Sequence, residues 1–153
     1  MSCKTKTCKI NDYLNETRYI VLATVNGDQA PVQRTLGAFA LDGNATYFST
    51  NRETAKVEQI EANPRVSILF QQEQQDLTRF VNVSILGTAR KVTEQSEVEK
   101  AIKLIGDRVP RFRERAELGN LKDSVFFRVD PSEATILDFS KGHGPAAVQK
   151  VTF

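Results

Sequence analysis

The sequence predicts a mainly β protein: an antiparallel barrel of six to seven strands with helices packed at its side. Three observations predict it. Short runs rich in β-branched and aromatic residues recur along the 153-residue chain, most of them joined by tight turns. The helical patterns sit apart, one between the third and fourth strands and two between the fifth and sixth. Gly87 falls inside the longest strand pattern, where a barrel corner needs a bulge or bend.

The elements follow in order. Residues 8–17 read as a short N-terminal helix. Tyr19 to Val25 is the first strand, and Asn26-Gly27 supplies the positive φ angles of a type I′ hairpin turn. Ala30 to Ala40 is the return strand, with Arg34, Leu36 and Ala38 on one face. Asp42-Gly43 makes the next turn, and Ala45 to Ser49 is the third strand. The second and third strands are expected to be neighbours because their turn is short.

The next helix opens on Thr50-x-x-Glu53, the pattern of a capping box. Val57 and Ile60 give it an apolar stripe, and Pro64 ends it. Val66 to Phe70 is the fourth strand. A polar turn over "QQEQQD" leads to a long fifth strand, Arg79 to Val92. Residues 94–105 form a helix, and Asp107 caps another running to about Leu118, with Pro110 in its first turn. Ser124 to Asp130 and Ala134 to Phe139 are the last strands, broken at Pro131. The tail, 140–153, reads as irregular.

Length and composition suit one domain spanning 1–153. Hydrophobic residues make up 40% and charged residues 26% of the chain, near globular norms. A net charge of +2 gives no argument for nucleic acid, and no Lys/Arg run interleaves with aromatics. The N-terminal lysines precede no apolar run, so no standard secretory signal is present. No segment has the ~18 uninterrupted apolar residues of a membrane span. Cys3 and Cys8 are too few for a disulfide framework and read as free thiols in a reducing compartment. The expectation is a soluble, cytoplasmic protein.

Several chemistries drop out. His143 is the only histidine, so a histidine metal cluster is excluded, and no metal site is expected. A Ser/His/Asp arrangement would have to use His143 in the tail. The formal match Gly142-x-Gly144-x-x-Ala147 has no βαβ unit around it and is rejected as a dinucleotide site. No general acid or base stands out.

One stretch does carry a signal: "TYFSTNRETAKVEQIEANPR", Thr46 to Arg65. A strand runs into Ser49, Thr50, Asn51 and Arg52, and Thr54 and Lys56 sit at the mouth of a helix. A helix N-terminus offers unpaired amides and partial positive charge. Thr50 and Thr54 add hydroxyls, and Lys56 and Arg52 add charge. Such a joint suits a phosphate; an ordinary cap with solvated cations is the plainer reading. Arg34 sits mid-strand, where an arginine is unexpected unless it reaches an edge or a ligand.

The order "QRTLGAF", "TYFSTNRETAK", "IEANPRVSILF" resembles the pyridoxamine 5′-phosphate oxidase-like family, the FMN-binding split β-barrels. The resemblance covers about Tyr19 to Val92 and extends loosely to Phe139. It implies that Arg34, Thr54 and Lys56 bind the FMN phosphate. It also implies that the backbone of Thr35 and Leu36 faces the flavin ring, and that Ser49 and Thr50 contact ring and ribityl. Asn82 stands where a polar residue, usually glutamine, reaches the flavin of the other subunit of a homodimer.

The resemblance implies a flavoprotein oxidoreductase passing hydride or electrons to a small molecule. Two departures bear on this. Ala55 stands where the oxidases carry a second arginine, with Arg52 the nearest substitute. The tryptophan- and arginine-rich substrate segment is absent. Two other readings stay open: a non-catalytic flavin-binding or redox-sensing module, and a split barrel that holds haem or a deazaflavin. Arg108, Arg111 and Arg115 form a stripe on their helix. It reads as a solvated basic face, or as a charged rim that attracts an anionic substrate or NAD(P)H. Lys141 and His143 could serve likewise from the tail.

Overall fold

Inward-facing side chains alternate with half-buried ones along β1 (Ile20–Val25), and the same rhythm recurs on β5 (Arg65–Gln71). That period of two is what a sheet with one packed face requires. The computed structural model describes residues 6–153, with side chains from Lys9 onward. Cys3 and the Cys8 side chain lie outside the described residues. The chain begins with α1 (Lys6–Glu16). The remaining strands are β2 (Pro31–Leu36), β3 (Phe39–Asp42), β4 (Ala45–Asn51), β6 (Val81–Lys91), β7 (Ser124–Asp138) and β8 (Val148–Thr152). Three more helices are α2 (Ala55–Ala62), α3 (Gln95–Arg108) and α4 (Pro110–Glu117).

The sheet order is β2-β1-β5-β6-β7-β4-β3, with β8 also paired to β7. All pairs are antiparallel. β2 and β3 are neighbours in sequence yet stand at opposite ends of that order. The sheet must therefore curl, and the short link at Gly37-Ala38 bridges its two ends. This is the expected antiparallel split barrel with flanking helices: among the described residues seven strands stand in that order, and β8 is added beside β7.

The predicted return strand, Ala30 to Ala40, is thus two strands. Its first half pairs with β1 and its second half with β4. Arg34 and Leu36 do share a face, but Ala38 lies in the link, where its carbonyl accepts from the Ser49 amide at 3.0 Å. The β1–β2 turn also differs from the prediction. It spans Asn26 to Ala30, and the positive φ falls on Gln29 at 63°, not on Asn26 or Gly27. The Asn26 carboxamide accepts from the amides of Asp28 and Ala30 at 2.9 and 3.0 Å, which holds a wider loop than type I′.

Gly87 does mark a bulge. The β6–β7 register shifts between Leu86 and Gly87, and Gly87 lies opposite Pro131. A Cβ at Gly87 would stand 2.6 Å from the Asp130 carbonyl oxygen. Pro131, which lacks an N–H, fits at this irregularity, so β7 runs through it unbroken. Residues 140–153 are ordered too: two short 3-10 turns lead into β8, whose pairing with β7 contributes a strand the sequence did not suggest.

Two apolar clusters hold the elements. Ile20, Leu22, Phe48, Ile68, Ile85 and Phe127 fill the barrel, with Phe48 and Phe127 stacked at 5.4 Å. Tyr47, Ala101, Ile105, Phe112 and Phe126 seat α3 and α4 on the outer side. There the buried Tyr47 hydroxyl donates to Glu97 at 2.8 Å and accepts from Arg128 at 2.9 Å. Asp107 lies inside α3, not at a cap; Val109 joins α3 to α4.

Candidate functional site

The joint between β4 and α2 is where the polar residues gather. α2 starts at Ala55, one turn later than the capping-box pattern suggests, and Thr54 is its N-cap. Thr50 is still in β4. It is 8% exposed, on the barrel face that also carries Phe48. The Asn51 carboxamide, not Thr50, accepts from the Glu53 amide, at 2.9 Å. The capping box is therefore not formed: the Thr54 hydroxyl donates to the Asn51 carbonyl at 2.9 Å, and both threonine oxygens accept from the lysine.

Lys56 Nζ donates to Thr50 Oγ1 at 2.7 Å and reaches Thr54 Oγ1 at 3.3 Å. The two hydroxyls are 3.2 Å apart. Arg34 comes from β2, on the face shared with Leu36. Its Nη1 donates to Thr24 Oγ1 at 2.7 Å and its Nη2 to Gln59 Oε1 at 2.8 Å. Gln59 is one turn beyond Lys56 on α2, so the two side chains share one flank of the helix.

Among the described residues, neither Arg34 nor Lys56 forms a salt bridge. Burial lowers the Lys56 pKa, and the charge of Arg34 lowers it further. Burial lowers that of Arg34 as well. Two half-buried cations that repel each other and lack a carboxylate are costly to keep. The two cations lie near enough for the charge of Arg34 to act on Lys56, and they flank the same helix through Gln59 and Lys56 itself.

The other predicted residues sort as follows. Thr35 and Leu36 end β2, an edge strand that pairs only with β1. Ser49 precedes Thr50 in β4, so its side chain points to the opposite face. Asn82 is the second residue of β6, donates to Gln71 at 3.2 Å, and is separated from β2 by β1 and β5. It does not join the cluster within one chain.

Arg52 does not substitute for an arginine at Ala55. Its guanidinium donates to the Lys122 carbonyl, and its amide to that of Asp123 at 2.9 Å. Arg108 is not on a solvated face either. It donates to the carbonyls of Asn15 and Thr17 and lies 4.2 Å over the Phe39 ring. Arg111 does remain exposed, and with Arg18, Tyr19, Gly37 and Arg108 it borders a cleft of about 530 Å3 beside the end of β2. His143 packs against Phe139 at 6.4 Å, in the segment that follows β7.

Sequence reasoning missed Thr24 and Gln59. The signal for Thr24 was a hydroxyl at an inward position of the Ile20, Leu22, Thr24 alternation. The signal for Gln59 was its spacing of three from Lys56.

The family model for pyridoxamine 5′-phosphate oxidase matches residues 7–138. The chain belongs to that family. Two curated relatives are named pyridoxine/pyridoxamine 5′-phosphate oxidase. The protein of Rubrobacter xylanophilus is 39% identical over 82 residues, 54% of this chain and 36% of that protein. The protein of Aeromonas hydrophila is 39% identical over 57 residues, 37% of this chain and 27% of that protein. The matched region spans about a third of the length of these oxidases. Solved structures share the fold. A conserved hypothetical protein from Mycobacterium tuberculosis aligns with a TM-score of 0.75 at 20% identity, covering 90% of this chain and 87% of that one. A haem-binding protein from Mycobacterium smegmatis aligns with a TM-score of 0.78 at 15% identity, covering 99% and 60%. In this member of the pyridoxamine 5′-phosphate oxidase family, Thr24 and Gln59 both accept from Arg34. Among its described residues, no helix is long and apolar enough to cross a membrane.

Proposed function

We propose that this family member binds FMN and serves as an oxidoreductase for a small molecule. The observation that carries the reading is a pair of cations along one flank of α2: Lys56, bonded to Thr50 and Thr54, and Arg34, bonded to Gln59 one turn further on, neither in a salt bridge among the described residues. The set fits a phosphate monoester: two cations for two negative charges, and hydroxyls that can donate to its oxygens. Bound FMN would supply hydride or electron transfer through its flavin N5. The chain's part is to hold the phosphate with Arg34, Thr54 and Lys56 and to offer the Thr35–Leu36 backbone to the ring. Ser49 and Thr50 are assigned to ring and ribityl.

The active form in this reading is a homodimer, in which the partner subunit's Asn82 reaches the flavin. Arg18, Arg108 and Arg111 outnumber Glu16 around the cleft beside β2, a balance of charge that suits an anionic substrate or NAD(P)H. Purification tests the whole: the protein should be yellow, bleach with NADH or NADPH, and recover with an added acceptor. Flavin that does not turn over would make the chain a passive binder or redox sensor.

A second reading has one specific support. A haem-binding protein is among the structural relatives, and His143, the only histidine, packs beside Phe139. A Soret band that disappears on His143→Ala would favour it over FMN.

A further inference from the structure

Arg34 has five N–H donors, and the way they are spent is informative. Nη1 is used on Thr24 Oγ1 at 2.7 Å and on the strand carbonyls of Leu22 and Val32, each at 3.3 Å. Nη2 gives one bond to Gln59 Oε1 at 2.8 Å. Thr24 has a single hydroxyl proton, and it goes to the same Gln59 oxygen at 2.6 Å. The three side chains close a ring of three bonds: Arg34 to Thr24, Arg34 to Gln59 and Thr24 to Gln59. Both neighbours of the Gln59 amide are donors, so its oxygen must face them. Thr24 is 2% exposed, so the ring is anchored in the barrel wall.

Every acceptor in this ring is neutral. A glutamate at position 59 could accept the same two bonds, but it would cancel the charge it holds in place. The glutamine orients Arg34 and leaves the charge intact, with Nε–H and one Nη2–H unspent. We infer that Thr24 and Gln59 are positioning residues that give the joint its selectivity for a phosphate monoester, by aiming Arg34 without neutralising it. The inference rests on the phosphate reading proposed above.

The test compares the affinities of FMN and riboflavin, which differ by the phosphate, for the full chain and its variants. Gln59→Glu should keep the fold, checked by circular dichroism. It should cut the preference for FMN over riboflavin by more than about tenfold, the scale of one charge-assisted bond, with riboflavin affinity little changed. Thr24→Val should lower the preference severalfold, and Thr24→Ser should restore it. Should Thr24→Val not fold, Gln59→Glu decides alone. A folded Gln59→Glu protein with the wild-type preference overturns the inference while leaving the phosphate anchor standing. A wild-type chain that binds both compounds equally overturns the anchor itself, and this inference with it.

Discussion

Lys56 bonds the Thr50 hydroxyl at 2.7 Å, tying the start of α2 to the end of β4 while Arg34 pushes on its charge. The pKa of Lys56 is lowered in the fold, by burial and then by Arg34. A lysine with a lowered folded pKa opposes folding at pH values below that pKa, and the burden lifts as pH rises toward its unfolded value. Lys56→Met should therefore stabilise the ligand-free protein slightly at neutral pH, by no more than about 0.5 kcal/mol once solvent screening and the lost bond to Thr50 are discounted. The same change should weaken FMN. Urea unfolding with and without FMN checks both; a variant less stable than wild type in the absence of ligand would contradict the account.

Inorganic phosphate should stabilise the folded protein too, by compensating the charge that the substitution removes. Binding to the folded state raises the unfolding midpoint. The rise should be present in wild type and absent when Arg34 and Lys56 are both alanine. Thermal scans at matched ionic strength read it, with chloride as the control.

Gly87→Ala should destabilise the barrel by about 2–3 kcal/mol, since a Cβ there meets a backbone oxygen that cannot swing aside. Denaturant midpoints check this. A loss below about 0.5 kcal/mol would mean that the bulge yields more easily than its geometry suggests.

Glu97 ties α3 to the barrel. Arg90 holds its carboxyl down at about 2, from an ordinary 4.5, with Tyr47 helping. A lowered carboxylate pKa stabilises the fold above the unfolded pKa and stops doing so as pH falls through the folded value. Glu97→Gln should thus cost on the order of 1 kcal/mol at neutral pH, a value discounted for the exposed Arg90. The gap from wild type should close between about pH 4.5 and pH 2. Unfolding midpoints across that range measure it.

Local patterns in the sequence were enough to place most elements. Runs of β-branched and aromatic residues marked the strands, and Gly87 marked the bulge. What local pattern could not show was long-range. No residue type between Ala30 and Ala40 announces that the chain leaves one end of the sheet for the other. Pro131 looked like a strand break because the sequence does not reveal that it faces Gly87. At the site, Arg34, Thr54 and Lys56 were legible as residue types at a joint. Thr24 and Gln59 were not, because each is ordinary in its own element and matters only where β1 and α2 meet. Arg52 failed for the converse reason: it is close in sequence, but its side chain is committed to the loop before β7.

The central claim is that Arg34 and Lys56 together grip a phosphate. Titration of FMN into wild type and into the Arg34→Ala, Lys56→Ala double variant tests it most directly. Loss of two charge-assisted contacts predicts an affinity at least about a hundredfold weaker in the double variant, with its fold unchanged. FMN binding within about twofold of wild type, far less than one such contact is worth, would contradict it.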